Sequence, residues 1–206
     1  MKKFFSIVFS ISLGLVSMFN TSAQILDVKK QDDPILRETC VEVTDFDEQL
    51  EILINDMTDT MEKHKGIGIA APQVGKNLCA FVVKYDGEVT EYINPKITIT
   101  KGEQTSIEGC LSVPGIWGKV KRPKYIRGKA FDKFGEEFEF EAEGDEARFI
   151  CHEYDHLNGK LFTDSATSTF TTKQTIYIAA ATLVGTAILG CVIGHFIAPY
   201  IIAFLI

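Results

Sequence analysis

Positive charge is in short supply. The 206-residue chain carries 21 Lys and Arg against 28 Asp and Glu, a formal net charge of −7. A nucleic-acid partner calls for a basic surface, so none is expected. Histidine is scarce, with only His64, His152, His156 and His195. Cysteine is sparse and odd in number: Cys40, Cys79, Cys110, Cys151 and Cys191. Without close pairing, these do not read as a disulfide framework. Cys40, Cys79 and Cys151 read as small buried hydrophobes. No internal repeat is visible, which excludes a solenoid.

Charge is missing altogether from Ile176 to Ile206. A run of this length exceeds the ~20 apolar residues that a membrane-crossing helix needs. A C-terminal transmembrane helix is therefore expected within 176–206. At the other end, Lys2 and Lys3 precede an apolar stretch from Phe4 to Phe19, and Thr21-Ser22-Ala23 follows. Residues 1–23 thus read as a secretory signal peptide or an N-terminal anchor. Together the two ends suggest a membrane-anchored protein, exported or sent to an organelle, with the side of the membrane left open. Residues 165–175, SATSTFTTKQT, read as a polar linker.

What remains, residues 25–164, is an ordinary mixed sequence. Leu50, Leu53, Ile54, Met57 and Met61 recur at helical spacing, which predicts a helix over Asp45 to His64, capped by Asp45 or Asp47. Leu78 to Lys84 and Glu91 to Thr100 read as strands, the second interrupted at Asn94-Pro95. Lys119 to Phe131 and Glu136 to Glu143 also alternate as strands, around a turn at 132–135. Asp145 to Asn158 reads as a second helix, closed by Gly159. The expected fold class is α+β, with small mixed or antiparallel sheets packed around that second helix.

The second helix holds HEYDH, residues 152–156. Positions i and i+4 share a helix face, so His152 and His156 can offer two imidazoles to one metal ion. Glu153, one position on, can approach a metal-activated water without being a ligand. Asp155 either fixes a histidine tautomer or is a solvated helix acid. A catalytic metal usually takes three protein ligands, and the only downstream histidine is His195, inside the apolar run. The third ligand is therefore sought upstream. The candidate is Cys110 in EGCLS (108–112), where Gly109 lets the backbone approach closely.

Three segments, GIGIAAPQ (66–73), EGCLS (108–112) and HEYDH (152–156), resemble in order and spacing the signature motifs of the peptide deformylase family. DPILR (33–37), INP (93–95) and LNGKLF (157–162) add to the likeness, which covers residues 25–164. The resemblance implies a metal-dependent hydrolase that removes the N-formyl group from formylmethionine at a polypeptide's N-terminus and releases formate. It implies Cys110, His152 and His156 as ligands of one divalent ion, Fe²⁺ foremost and Zn²⁺ or Ni²⁺ as substitutes. Glu153 would be the general acid/base. Gln73 and the backbone N–H of Leu111 would stabilise the oxyanion. Gly66, Ile67, Gly68 and Gly109 would bind the N-formylmethionyl peptide. Two alternatives stand beside this: an HExxH metallopeptidase of another class, and a catalytically silent deformylase-like module. The chain departs from the family's pattern at both ends and in the polar stretch Asp145 to Arg148.

Overall fold

A computed structural model describes residues 24–174. The first helix, α1 (Glu48–Lys63), begins at Asp47, whose carboxylate accepts hydrogen bonds from the backbone N–H groups of Gln49 and Leu50. Two of the amides that a helix start leaves without partners are thereby satisfied. Its inner face buries Leu50, Ile54, Met57 and Met61, the spacing read from the sequence.

Five strands form one sheet in the order β1 (Gly68–Ala70), β2 (Ala80–Tyr85), β3 (Glu88–Lys101), β6 (Tyr125–Phe131), β7 (Glu137–Glu143). A second sheet holds β4 (Gln104–Cys110), β5 (Val113–Arg122) and β8 (Ala166–Thr171) in that order. All neighbouring strands run antiparallel. The sheets are therefore antiparallel rather than mixed; among the described residues parallel pairing is confined to an isolated bridge between Val41 and Leu78.

Helix α1 covers one face of the larger sheet, where Met57 and Met61 share a core with Ile69, Val82 and Ile93. Helix α2 (Asp145–Leu157) covers the other, where Ala147 and Ile150 share a core with Ala70, Phe81, Val83 and Ile126. Alternate residues of β2 thus serve the two cores, which is why Ala80–Val83 is apolar without a break. The short helix α3 (Phe162–Ser165) brings Phe162 and Leu161 to a third core with Leu36, Val113 and Val120, beneath the smaller sheet.

Several expectations are corrected. Lys119 to Phe131 is not one strand: β5 ends at Arg122 and β6 starts at Tyr125, in different sheets. Pro123 lies at the break, where its missing N–H cannot continue a ladder. The stretch read as a linker contains β8, which pairs with β5. Conversely, Asn94 does not break β3. It takes φ 48° at a shift in register, and its side-chain amide closes a reciprocal pair of hydrogen bonds with the backbone of Val43.

The expected transmembrane helix is also corrected. Among the described residues no helix is long and apolar enough to cross a membrane; α1 has 16 residues with acids in its first turn and Lys63 in its last. The residues 176–206 on which that helix was expected, like residues 1–23 on which a leader was expected, lie outside the described ones.

Cys40 and Cys79 are not free hydrophobes but form a disulfide. The bond staples the segment before α1 to the start of β2, where Cys40 N–H also donates to Leu157 O at the end of α2. At a sequence separation of 39, the loop-closure relation gives about 4 kcal/mol of stabilisation. Reduction, or Cys40→Ser, should lower the melting temperature by about 10 °C. Calorimetry with and without reductant checks this, and an unchanged melting temperature would contradict it.

Candidate metal centre

His152 and His156 stand one turn apart on α2, ring centroids 5.2 Å from each other. Strand β4 meets them from the smaller sheet. A register shift between Glu108 and Cys110 interrupts its ladder, the kind of bulge that re-aims a side chain. Cys110 Sγ lies 3.3 Å from His156 Nε2. One ligand atom each from Cys110, His152 and His156 lie within 4.8 Å of one another. Metal–sulfur and metal–nitrogen bonds of about 2.3 and 2.1 Å place neighbouring ligands of a tetrahedral ion about 3.5 Å apart. The three residues can hold an ion of that kind, and the sulfur is prepared for it. Burial pushes the Cys110 thiol up, but His156 and His152 overcome this and hold it well below the ordinary thiol value. Thiolate is the form that ligates metals.

Glu153 is buried, and its Oε2 has no hydrogen-bond partner among the described residues. Burial raises its carboxyl to about 7, against the opposing pull of His152 and His156. Its neighbour across the site is Gly68. A Cβ on Gly68 would lie 2.5 Å from Glu153 Oε1, so this close approach of β1 to α2 requires glycine. Gly109 has a similar reason: a Cβ there would meet the Trp117 ring at 2.7 Å.

Gln73 sits in a single 3-10 turn, Ala71–Val74, directly after β1. Its Oε1 accepts from the Ala70 N–H at 2.8 Å, which turns the amide nitrogen inward. Nε2 then donates to Ser112 Oγ at 3.1 Å and faces Cys110 Sγ at 3.4 Å. The side chain is 1% exposed, so its one donor end is fixed toward the sulfur.

Behind the histidines lies a charged network. Glu108 Oε2 is 2.8 Å from His152 Nδ1, which leaves Nε2 of that ring for an ion. Arg122 donates to both Glu108 oxygens at 2.9 Å and also to Asp155. Burial would raise the Glu108 carboxyl, but hydrogen bonds from His152 and Arg122 hold it down at about 2. Asp155 is thus no solvated acid: it anchors the arginine that anchors the glutamate that orients His152. Neither Arg122 nor Ser112 was singled out in the sequence. Arg122 belongs to another strand, without spacing or motif to signal it. Ser112 was legible only as the last letter of EGCLS.

Every sequence-predicted site residue except His156 lines one cleft of about 520 Å³; His156 is buried behind it. Gly66 and Ile67, which lead into β1, and Gly68 at its start form one wall, with Ile67 47% exposed. Gly109 and Leu111 form part of the other.

A helix presenting two histidines and an acid, a cysteine from an adjoining sheet, and an open cleft over them define a domain of the single-metal, HExxH-helix class. Comparison narrows this. The family profile described as polypeptide deformylase matches residues 25–171. A peptide deformylase of Clostridium botulinum is 48% identical over 141 residues, covering 68% of this chain and 96% of the relative. The crystal structure of peptide deformylase from Thermotoga maritima superimposes with a TM-score of 0.69 at 38% identity, covering 70% of this chain and 99% of that one. A Met-Ala-Ser-bound structure of a class I type b peptide deformylase from Acinetobacter baumannii matches with a TM-score of 0.67 at 31% identity, over 70% and 99% of the two chains. The chain belongs to the peptide deformylase family.

Proposed function

We propose that this chain hydrolyses the N-formyl group from N-terminal formylmethionine, releasing formate and a free amino terminus. The observation that carries the reading is the convergence of Glu153, Gln73 and the Cys110/His152/His156 cluster on one cleft beside the open edge of β1. Cys110, His152 and His156 would hold one divalent ion, Fe²⁺ the first choice, which when bound would supply Lewis acidity and lower the pKa of water toward neutrality. Glu153 takes the proton of the attacking water and passes it to the departing amine. Gln73 Nε2 and the backbone N–H of Leu111 donate to the oxygen on which negative charge develops. Gly66 to Gly68 pair with the substrate backbone as an added strand, opposite Gly109. The relative bound to Met-Ala-Ser supports a peptide in this cleft. A metallopeptidase with a histidine or carboxylate as third ligand is disfavoured, because sulfur occupies that position.

The disulfide favours a further part of the reading. Such bonds persist in oxidising compartments, which supports residues 1–23 as a leader that takes the chain out of the translating compartment.

The test is formate release from formyl-Met-Ala-Ser by the full chain loaded anaerobically with Fe²⁺. Steady turnover is expected. Absence of formate from a chain with one bound ion would overturn the reading.

A further inference from the structure

The mouth of the cleft carries two cationic side chains, Lys65 and Arg148, on a chain that is negative overall. His64, Lys65 and Arg148 line it. Among the described residues, the only acids that line it are Glu108 and Glu153, and both are buried. Glu108 is already engaged by Arg122 and His152. Nearby acids outside the cleft are also engaged. Asp145 accepts from Arg148, so this pair is partly neutralised and Lys65 is the unpaired cation among the described lining residues; Glu62 pairs with Lys84. His64 and Lys65 are exposed, and among the described residues neither forms an ion pair.

Their position follows from the chain. His64 ends α1, its N–H donating to Thr60 O. Lys65 takes the left-handed conformation, φ 56°, and turns the chain directly into the β1 edge. Gly68 marks the reacting end, because it faces Glu153. Lys65 is three residues from Gly68, about 10 Å at strand spacing. A peptide laid along Gly66 to Gly68, with its formyl group at the Gly68 end, brings its second or third residue beside Lys65. Arg148 stands one helical turn before His152 and closes the mouth from the α2 side.

We infer that Lys65 and Arg148, with His64 beside them, form an outer subsite that selects formylmethionyl chains with Asp or Glu at the second or third position. The inference rests on reading the cleft as the formyl-peptide site. Cations at the end of a helix also complement its negative pole, but that role alone predicts no effect on substrate choice.

The test compares three C-terminally amidated peptides, so that no terminal carboxylate imitates the acid: formyl-Met-Ala-Ser, formyl-Met-Glu-Glu and formyl-Met-Lys-Lys. With the metal-loaded full chain at low ionic strength, kcat/KM for the Glu peptide should exceed that for the Lys peptide by about ten-fold, as charges of this separation at a surface allow. The ratio should fall toward one near 0.5 M salt, where screening reaches only ~4 Å. Lys65→Glu should invert it. A ratio near one at low salt, or a ratio indifferent to salt, overturns the inference while turnover of the Ala-Ser peptide leaves the deformylase reading intact. No formate from any of the three overturns both.

Discussion

Glu153→Gln should bind its metal in full and lose turnover by about 10²- to 10⁴-fold, the range that a positioned proton carrier contributes. The environment of the carboxylate is the reason. Its Oε2 is buried without a partner, and burial lifts the group to about 7, where it can both accept and donate a proton near neutral pH. An amide of the same shape fits the space against Gly68 but can do neither. Unfolding does not provide an alternative explanation for the lost activity. The folded carboxyl holds its proton up to about pH 7 and the unfolded one only to about 4.5. Stability from this group is therefore present at low pH and lost as pH rises between those values. In the metal-free chain above pH 7, removing the buried charge relieves a cost, so the variant should melt no lower than the parent. Metal analysis, formate release and melting on one preparation test all three points. Parental turnover in Glu153→Gln would remove Glu153 from the chemistry.

Cys110→Ala should fold and lose its metal. The side chain contributes a sulfur held as thiolate by His156 and His152, and no other Cys, Asp or Glu joins the two histidines in a ligand cluster among the described residues. Loss of an outer partner of a ligand costs about 10- to 100-fold in metal affinity, and loss of the ligand itself should cost more. The expected result is a chain that retains little metal after dialysis, with circular dichroism close to the parent. A full complement of metal in Cys110→Ala would mean that another group supplies the third ligand.

Much of this architecture could be read in the residues. Helix α1 showed itself because one face had to be apolar, and α2 because HEYDH requires a helix to bring its histidines together. The step from two histidines to Cys110 was also legible, since the sequence downstream of His156 offered no credible ligand. Other features were invisible for physical reasons. The Cys40–Cys79 bond joins residues at a sequence separation of 39 that meet only in the folded chain. Strand β4 fully buries only Glu108 and β8 buries no residue fully, so neither presents the apolar face that marks a strand in sequence. Arg122 acts on the ligand set through Glu108, which holds His152, and such support depends on tertiary position alone. Gln73 had no signal of its own. Its candidacy came from the family resemblance, and the structure adds why its amide points as it does: Ala70 N–H holds the oxygen.

The central claim is that one cleft removes a formyl group and leaves the peptide chain whole. The most direct measurement follows formyl-Met-Ala-Ser incubated with the Fe²⁺-loaded full chain, quantifying formate and new amino termini together by mass spectrometry. The account predicts formate and intact Met-Ala-Ser in equal amounts. Fragments cut between Met and Ala or between Ala and Ser, without formate, would contradict it.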